Sequence, residues 1–284
     1  MVQLIACIFS SSLIFVIFRL AKNYQTRLSP LITYNYLAAT ILGILFFQPL
    51  ENITIENSFS WLPFAIINGI LFISLFFLMG RSSQKAGITV TTLAAKLSLV
   101  FPVMFSLIYY NESTTILRAI GLFTTFIAIG LTVYKKEVQR TNLLFIILPL
   151  VIFLGNGIVD SIVKFVQAEK ISQSQSGIYT TGVFFVAFLC GSILSAFSKN
   201  TRLKIHTPTL ILGVLLGIVN FGSLYFIIEA LNKTGMKSSM VFAINNMSIV
   251  VFTAVLGRLL FKEKLNKINL AGIILALISI YFLL

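Results

Sequence analysis

Ten long apolar runs separated by short polar gaps divide this sequence, and that pattern restricts the fold more than any other feature. The runs are Val2–Phe18, Leu31–Gln48, Trp61–Met79, Ile88–Tyr110, Thr115–Val133, Leu143–Phe165, Gly177–Phe197, Thr209–Ala230, Ser238–Phe261 and Ile268–Leu284. About 20 apolar residues in helix cross a hydrocarbon core about 30 Å thick. In lipid, every backbone polar group must find its partner within the protein, which leaves helices and closed barrels. The runs do not alternate polar and apolar residues as barrel strands do. The expected fold is an all-α integral membrane protein with ten transmembrane helices, multi-pass in the cell (inner or plasma) membrane.

Composition agrees. Charged residues make up 10% of the chain and hydrophobic residues 58%, against about 25% charged residues in soluble domains. The net charge of +13 would point to nucleic acid in a soluble protein. Here the basic residues sit in gaps between runs, where they anchor to lipid headgroups and set orientation. Membrane lipid is therefore an expected partner and nucleic acid is not. Cys7 and Cys190 lie inside apolar runs, and His206 has no second histidine nearby. Neither pattern has metal or redox spacing, and no cofactor is expected. The N-terminus lacks the basic region and cleavage site of a signal peptide, so the first run reads as a retained helix.

The runs also repeat. Glu112 is followed nine residues later by Gly121, and Glu263 nine residues later by Gly272; the offset is 151 in both cases. Val100-Phe101 and Val251-Phe252 share it, as do Ile127 and Ile278. The chain thus reads as two five-helix repeats, residues 1–140 and 141–284. Because five is odd, the repeats enter the membrane in opposite orientations, an arrangement common among secondary transporters. Glycines inside the runs, among them Gly155, Gly157, Gly213 and Gly217, suit close helix approach. Trp61, at the start of the third run, is expected at the membrane interface.

Two junctions carry a resemblance. Gly80-Arg81-Ser82-Ser83-Gln84-Lys85 through Thr89-Val90-Thr91 forms one, and Glu263-Lys264-Leu265 through Gly272 the other. Set in register within a ten-run chain, they resemble the EamA family of the drug/metabolite transporter superfamily. The resemblance implies a substrate cavity near the bilayer midplane between the two repeats, and both termini in the cytoplasm. It names no substrate, since the superfamily moves amino acids, sugars, nucleotides and drugs. The segment Leu50–Ser60, basic in many family members, here contains Glu51 and Glu56 and no Lys or Arg. The charge count also points the other way. On the side of the termini lie Arg118, Lys164, Lys170, Lys233 and Lys237; the opposite side carries 15 basic residues, from Arg19 and Lys22 to Lys264 and Lys267. The positive-inside rule then places both termini outside the cytoplasm.

Polar groups inside the runs mark candidate substrate-binding residues, because a charge at mid-membrane costs about 2.5–3.5 kcal/mol on insertion scales. Lys96 stands eight residues into the fourth run, and Pro102 follows six residues later. Proline removes a backbone donor and crowds the carbonyl four residues back, at Ser98, so a kink and a freed carbonyl are expected beside Lys96. Snorkelling to an interface is the bland alternative for Lys96. In the matching run, Asn245 and Asn246 stand near the same level; they serve either a substrate or interhelical bonding alone. Asn156, Asp160 and Lys164 share a helix face, where Asp160 is either a proton carrier or half of an ion pair with Lys164. Asn220 and Glu229 lie on the eighth run, Glu229 at its end, as an interfacial residue would. Glu112 and Glu263 are expected to favour the starts of the helices that follow them.

These features favour a secondary transporter, an exporter of a small polar or amphipathic metabolite, driven by a proton or ion gradient or by exchange. No P-loop is present to drive transport with ATP. An anionic or zwitterionic substrate suits Lys96 better than a purely cationic drug. A scaffold or sensor without transport activity is the alternative. A membrane-embedded enzyme fits less well, because no cluster of His, Asp and Cys exists to serve it.

Overall fold

The computed structural model describes residues 1–24, 26–47, 59–85, 88–112, 115–132, 144–197, 206–261 and 267–283. Glu51, Glu56, Glu263 and several basic residues of the expected polar gaps, among them Lys135, Lys136, Arg140, Lys199, Arg202, Lys204, Lys262 and Lys264, lie outside the described residues. Among the described residues, eleven α-helices follow in order: α1 (Val2–Asn23), α2 (Leu28–Phe47), α3 (Leu62–Lys85), α4 (Ile88–Leu97), α5 (Val100–Tyr109), α6 (Ile116–Thr132), α7 (Leu144–Glu169), α8 (Ser176–Phe197), α9 (Thr207–Lys233), α10 (Ser238–Phe261) and α11 (Lys267–Leu283). Among the described residues each expected run contains an α-helix, and the fourth is broken into α4 and α5. Among the described residues, seven helices are long and apolar enough to cross a membrane. The other three runs are shorter: α6 and α11 have 17 residues each, and the α4–α5 run is interrupted.

Burial is inverted relative to a water-soluble protein. Large apolar side chains face outward, among them Val2, Ile5 and Phe9 on α1, Leu45 and Phe46 on α2, and Leu259 on α10. Polar side chains point inward: Asn35, Asn68, Asn220, Glu229, Asn245 and Asn246 are all buried. In water the first set would drive aggregation; in lipid it is the solvent-compatible surface. The protein is a multi-pass membrane protein on these grounds.

The helices form two compact units. The first comprises Met1–Arg81 and Ile162–Lys233, and the second Ser82–Ser161 and Thr234–Leu284. Each therefore draws helices from both halves of the chain.

In the first unit, α2 packs against α8 and α9, and α1 against α9. Lipid tails are as apolar as leucine, so close packing rather than water exclusion must hold such helices together. The glycines of α9 allow it, as the sequence suggested. A Cβ on Gly217 would fall 2.4 Å from the Asn35 carbonyl oxygen and 3.1 Å from the Ala39 nitrogen. One turn earlier, Gly213 lies against Tyr34 and the Leu31 carbonyl. An aromatic cluster fills the interior: Phe184 contacts Tyr36, Phe72 and Phe221, with ring centroids 5.6–5.9 Å apart. Trp61 is buried rather than lipid-facing. Its ring meets Tyr179 edge-on and covers Gly182.

In the second unit, α6 packs along α11, and α10 contacts α4, α5, α6 and α11. The Ser279 hydroxyl donates to Thr124 Oγ1 at 2.7 Å, joining α11 to α6. Gly157 of α7 faces the Phe101 ring.

Candidate functional site

The break between α4 and α5 organises the second unit. Pro102 cannot donate to the Ser98 carbonyl, as the sequence suggested. The carbonyl is not left free, however: the Phe101 N–H donates to it at 3.0 Å, one residue short of the helical partner. The Leu99 N–H likewise donates to the Lys96 carbonyl at 3.3 Å. These tighter turns interrupt the helix at Ser98 and Leu99, and the Ser98 hydroxyl donates to the Ala95 carbonyl. The helix is interrupted where a kink is expected, and the Ser98 carbonyl is satisfied locally.

Lys96 is the penultimate residue of α4, beside this break. Its ammonium donates to Asn246 Oδ1 on α10 at 3.2 Å. Lys96 is half-buried and Asn246 almost fully buried. The bond joins residues 150 apart in the chain. Asn246 is neutral, so it accepts a hydrogen bond from the ammonium without cancelling its charge. Asp160 of α7 lies within electrostatic reach of Lys96. Asn245 is also buried, and its Oδ1 has no hydrogen-bond partner.

The remaining candidates are placed differently. Asn156 donates to the Ile152 carbonyl of its own helix at 2.8 Å, which commits its amide nitrogen. Lys164 is buried, and its ammonium donates to Gln167 Oε1 at 2.9 Å. Gln167 continues through Asn232 to Ser176, linking α7, α9 and α8. Asn220 belongs to the first unit, where its Nδ2 donates to Asn35 Oδ1 at 3.2 Å. The structure therefore brings together Lys96 and Asn246, with Asp160 in electrostatic range, and places Asn220 in another cluster.

Glu112 departs from the sequence expectation. It does not cap α6, the helix that follows it. Its carboxylate accepts from the backbone N–H groups of Ser238 and Ser239, at 2.9 and 3.2 Å, and from the Ser239 hydroxyl at 2.6 Å. It thus holds the first turn of α10, the helix that carries Asn246. A carboxylate there satisfies unpaired donors and complements the helix dipole.

Sequence reasoning also missed the pair formed by Asn68 and Tyr179, in which the Asn68 amide donates to the Tyr179 hydroxyl at 2.7 Å. An asparagine within an apolar run signals such a bond, but the sequence does not identify its partner. Glu229 was read as interfacial; it is 3% exposed and paired with Lys233. His206 at the start of α9 contacts Thr209 Oγ1 through Nδ1 at 3.0 Å.

Comparison with known proteins adds three findings. The sequence model of the EamA-like transporter family matches residues 142–284. An uncharacterized protein of Haemophilus influenzae (strain Rd) is 26% identical over 291 residues, covering 99% of this chain and 97% of that protein. A solved crystal structure superposes with a TM-score of 0.73 at 12% identity, covering 97% of this chain and 94% of the other; at that identity the likeness concerns the fold alone.

Proposed function

Because the chain belongs to the EamA-like transporter family, a family of membrane transporters, we propose that it is a secondary transporter of a small polar or amphipathic metabolite. Its substrate site is built around Lys96 and Asn246, and it works as an exporter in the inner or plasma membrane.

The observation that carries this reading is the Lys96–Asn246 bond. Lys96 comes from the first sequence repeat and Asn246 from the second, and they meet beside a broken helix. Interrupted helices at a repeat interface are where secondary transporters build their sites.

Helix pairing supports the inverted repeat. Taking α4 and α5 as one span, α2 pairs with α8, α5 with α10 and α6 with α11. These are the second with the seventh span, the fourth with the ninth and the fifth with the tenth. The α1–α9 contact has its counterpart in α3–α7, where Phe64 and Phe165 lie 5.3 Å apart. The helices joined by the buried pairs Asn35–Asn220 (α2 and α9) and Asn68–Tyr179 (α3 and α8) also exchange when the repeats are swapped. Contacts that come in reciprocal pairs are the mark of a two-fold relation.

Lys96 gives the site positive charge, so an anionic or zwitterionic substrate is favoured over a purely cationic one. Asp160, within reach of that charge, is the residue we assign to proton coupling. The neighbouring amides of Asn245 and Asn246 supply neutral donors and acceptors that orient a polar substrate.

The test is transport by Lys96→Ala and Lys96→Arg. The alanine variant should lose transport while remaining folded in the membrane. The arginine variant should retain part of it, since the charge persists but the compact ammonium geometry does not. Normal transport by Lys96→Ala would remove Lys96 from the site.

A further inference from the structure

Where α2 and α9 end and α8 begins, the first unit holds an open cavity of about 570 Å³. Glu229 lines it with 3% of its surface exposed, and Phe47 and Tyr225 also line it, with ring centroids 4.8 Å apart. The hydroxyls of Ser172 and Ser174 stand at its rim. The rings are fixed in place. Phe221 stacks on both Phe47 and Tyr225, and Phe47 lies so close over Gly177 that a Cβ there would meet its ring at 2.2 Å.

The Glu229 carboxylate is bonded to the ammonium of Lys233, one helical turn on. The two partners differ sharply: the Lys233 side chain is 43% exposed and that of Glu229 only 4%. A pair of this spacing on a helix surface is ordinary and weak. Here, though, the carboxylate is buried, where an unpaired charge is costly, while its present cation sits on a long side chain that is 43% exposed. Phe47 and Tyr225 line the same cavity as that carboxylate, and a carboxylate together with aromatic rings is the chemistry that recognises an organic ammonium.

We propose that this cavity binds the ammonium group of a small amphipathic amine, which replaces the Lys233 ammonium on Glu229 and lies against Phe47 and Tyr225. A free amine solute and the ethanolamine head of a phospholipid both offer this group. The assignment is independent of the Lys96 site, and it is tested by binding rather than transport, so either can fail without the other.

The experiment titrates the full chain, held in nanodiscs of digalactosyldiacylglycerol, an uncharged lipid with no ammonium group, with benzyltrimethylammonium and with uncharged benzyl alcohol, by calorimetry. The cation should bind at least tenfold more tightly than the alcohol. Glu229→Gln should weaken the cation at least tenfold. Lys233→Ala should tighten it severalfold, because it removes the internal competitor; a purely structural ion pair would give no such gain. If Glu229→Gln does not fold, Lys233→Ala still decides. Equal binding of cation and alcohol, an unchanged affinity in a folded Glu229→Gln variant, or unchanged or weaker binding by Lys233→Ala would overturn the proposal. With the site established, adding phosphatidylethanolamine to the discs assigns its occupant: weaker probe binding supports the lipid headgroup, and unchanged binding supports a free amine.

Discussion

The carboxylate of Glu112 holds the first turn of α10 through Ser239, bonding both its backbone N–H and its hydroxyl. A residue at the end of α5 thereby fixes a helix that begins 126 residues later in the chain. Charge-assisted hydrogen bonds of this kind contribute about 1.5–3 kcal/mol each when buried, and a charge at a helix N-terminus about 0.3–1 kcal/mol more. Glu112→Ala should lower the thermal midpoint of the detergent-purified protein by several degrees. Glu112→Gln, which keeps an acceptor, should lower it less. A loss from Glu112→Gln equal to that from Glu112→Ala would mean that a neutral acceptor recovers nothing; no loss from Glu112→Gln would mean that the charge contributes nothing.

Gly217 and Gly157 predict a contrast. The atoms a Cβ on Gly217 would strike are the Asn35 carbonyl oxygen, the Ala38 Cβ and the Ala39 nitrogen of α2, which cannot rotate away, whereas Gly157 faces the Phe101 side chain. Overpacking costs about 1–3 kcal/mol in general. Gly217→Ala should fall at the upper end, and Gly157→Ala should be milder because the ring can move. Comparing the thermal midpoints of the two variants checks the order.

The Asn35–Asn220 bond should be weakly coupled. Membrane interhelical hydrogen bonds average about 0.6 kcal/mol in double-mutant cycles, and in this pair Asn35 Nδ2 and Asn220 Oδ1 find no hydrogen-bond partner. Replacing both residues with leucine should destabilise the protein by less than the two single changes summed. Additive losses would show that the amides do not depend on each other.

Much of this fold was legible in the sequence, because a lipid-embedded chain declares its helices by apolar runs alone. The α10 run, Ser238–Phe261, matches its helix at both ends. Elsewhere polar residues extend the helices beyond the runs: α1 continues through Arg19 and Lys22 to Asn23, because a helix end outside the lipid need not be apolar. Lys96 and Asn246 were visible as polar residues in apolar surroundings, and the repeat offset placed them at one level. Partners were legible only where the repeat supplied them. Nothing local connects Glu112 to Ser239, Asn35 to Asn220 or Asn68 to Tyr179, since each pairing is set by how distant helices pack. Glu229 misled because proximity to a helix end does not fix exposure.

Orientation has its own test. The basic residues on the side opposite the termini number 15 against 5 on the side of the termini. The charge rule therefore predicts an extracytoplasmic C-terminus for a reporter fused after Leu284. A cytoplasmic signal would favour the orientation implied by family resemblance.

Pro102 sets the break beside Lys96. Pro102→Ala restores an N–H that competes with that of Phe101 for the Ser98 carbonyl, which should straighten the α4–α5 junction and shift Lys96 away from Asn246. Stability should hold or rise while transport falls. A variant with lower stability and unchanged transport would show that the break is only structural.

The most direct measurement compares metabolites exported by cells expressing the wild-type chain, cells expressing Lys96→Ala at equal membrane abundance, and cells from which the protein has been deleted. The account predicts that at least one small anionic or zwitterionic metabolite accumulates outside wild-type cells, and that Lys96→Ala returns its level to that of the deleted cells. Equal export by wild type and Lys96→Ala would contradict it.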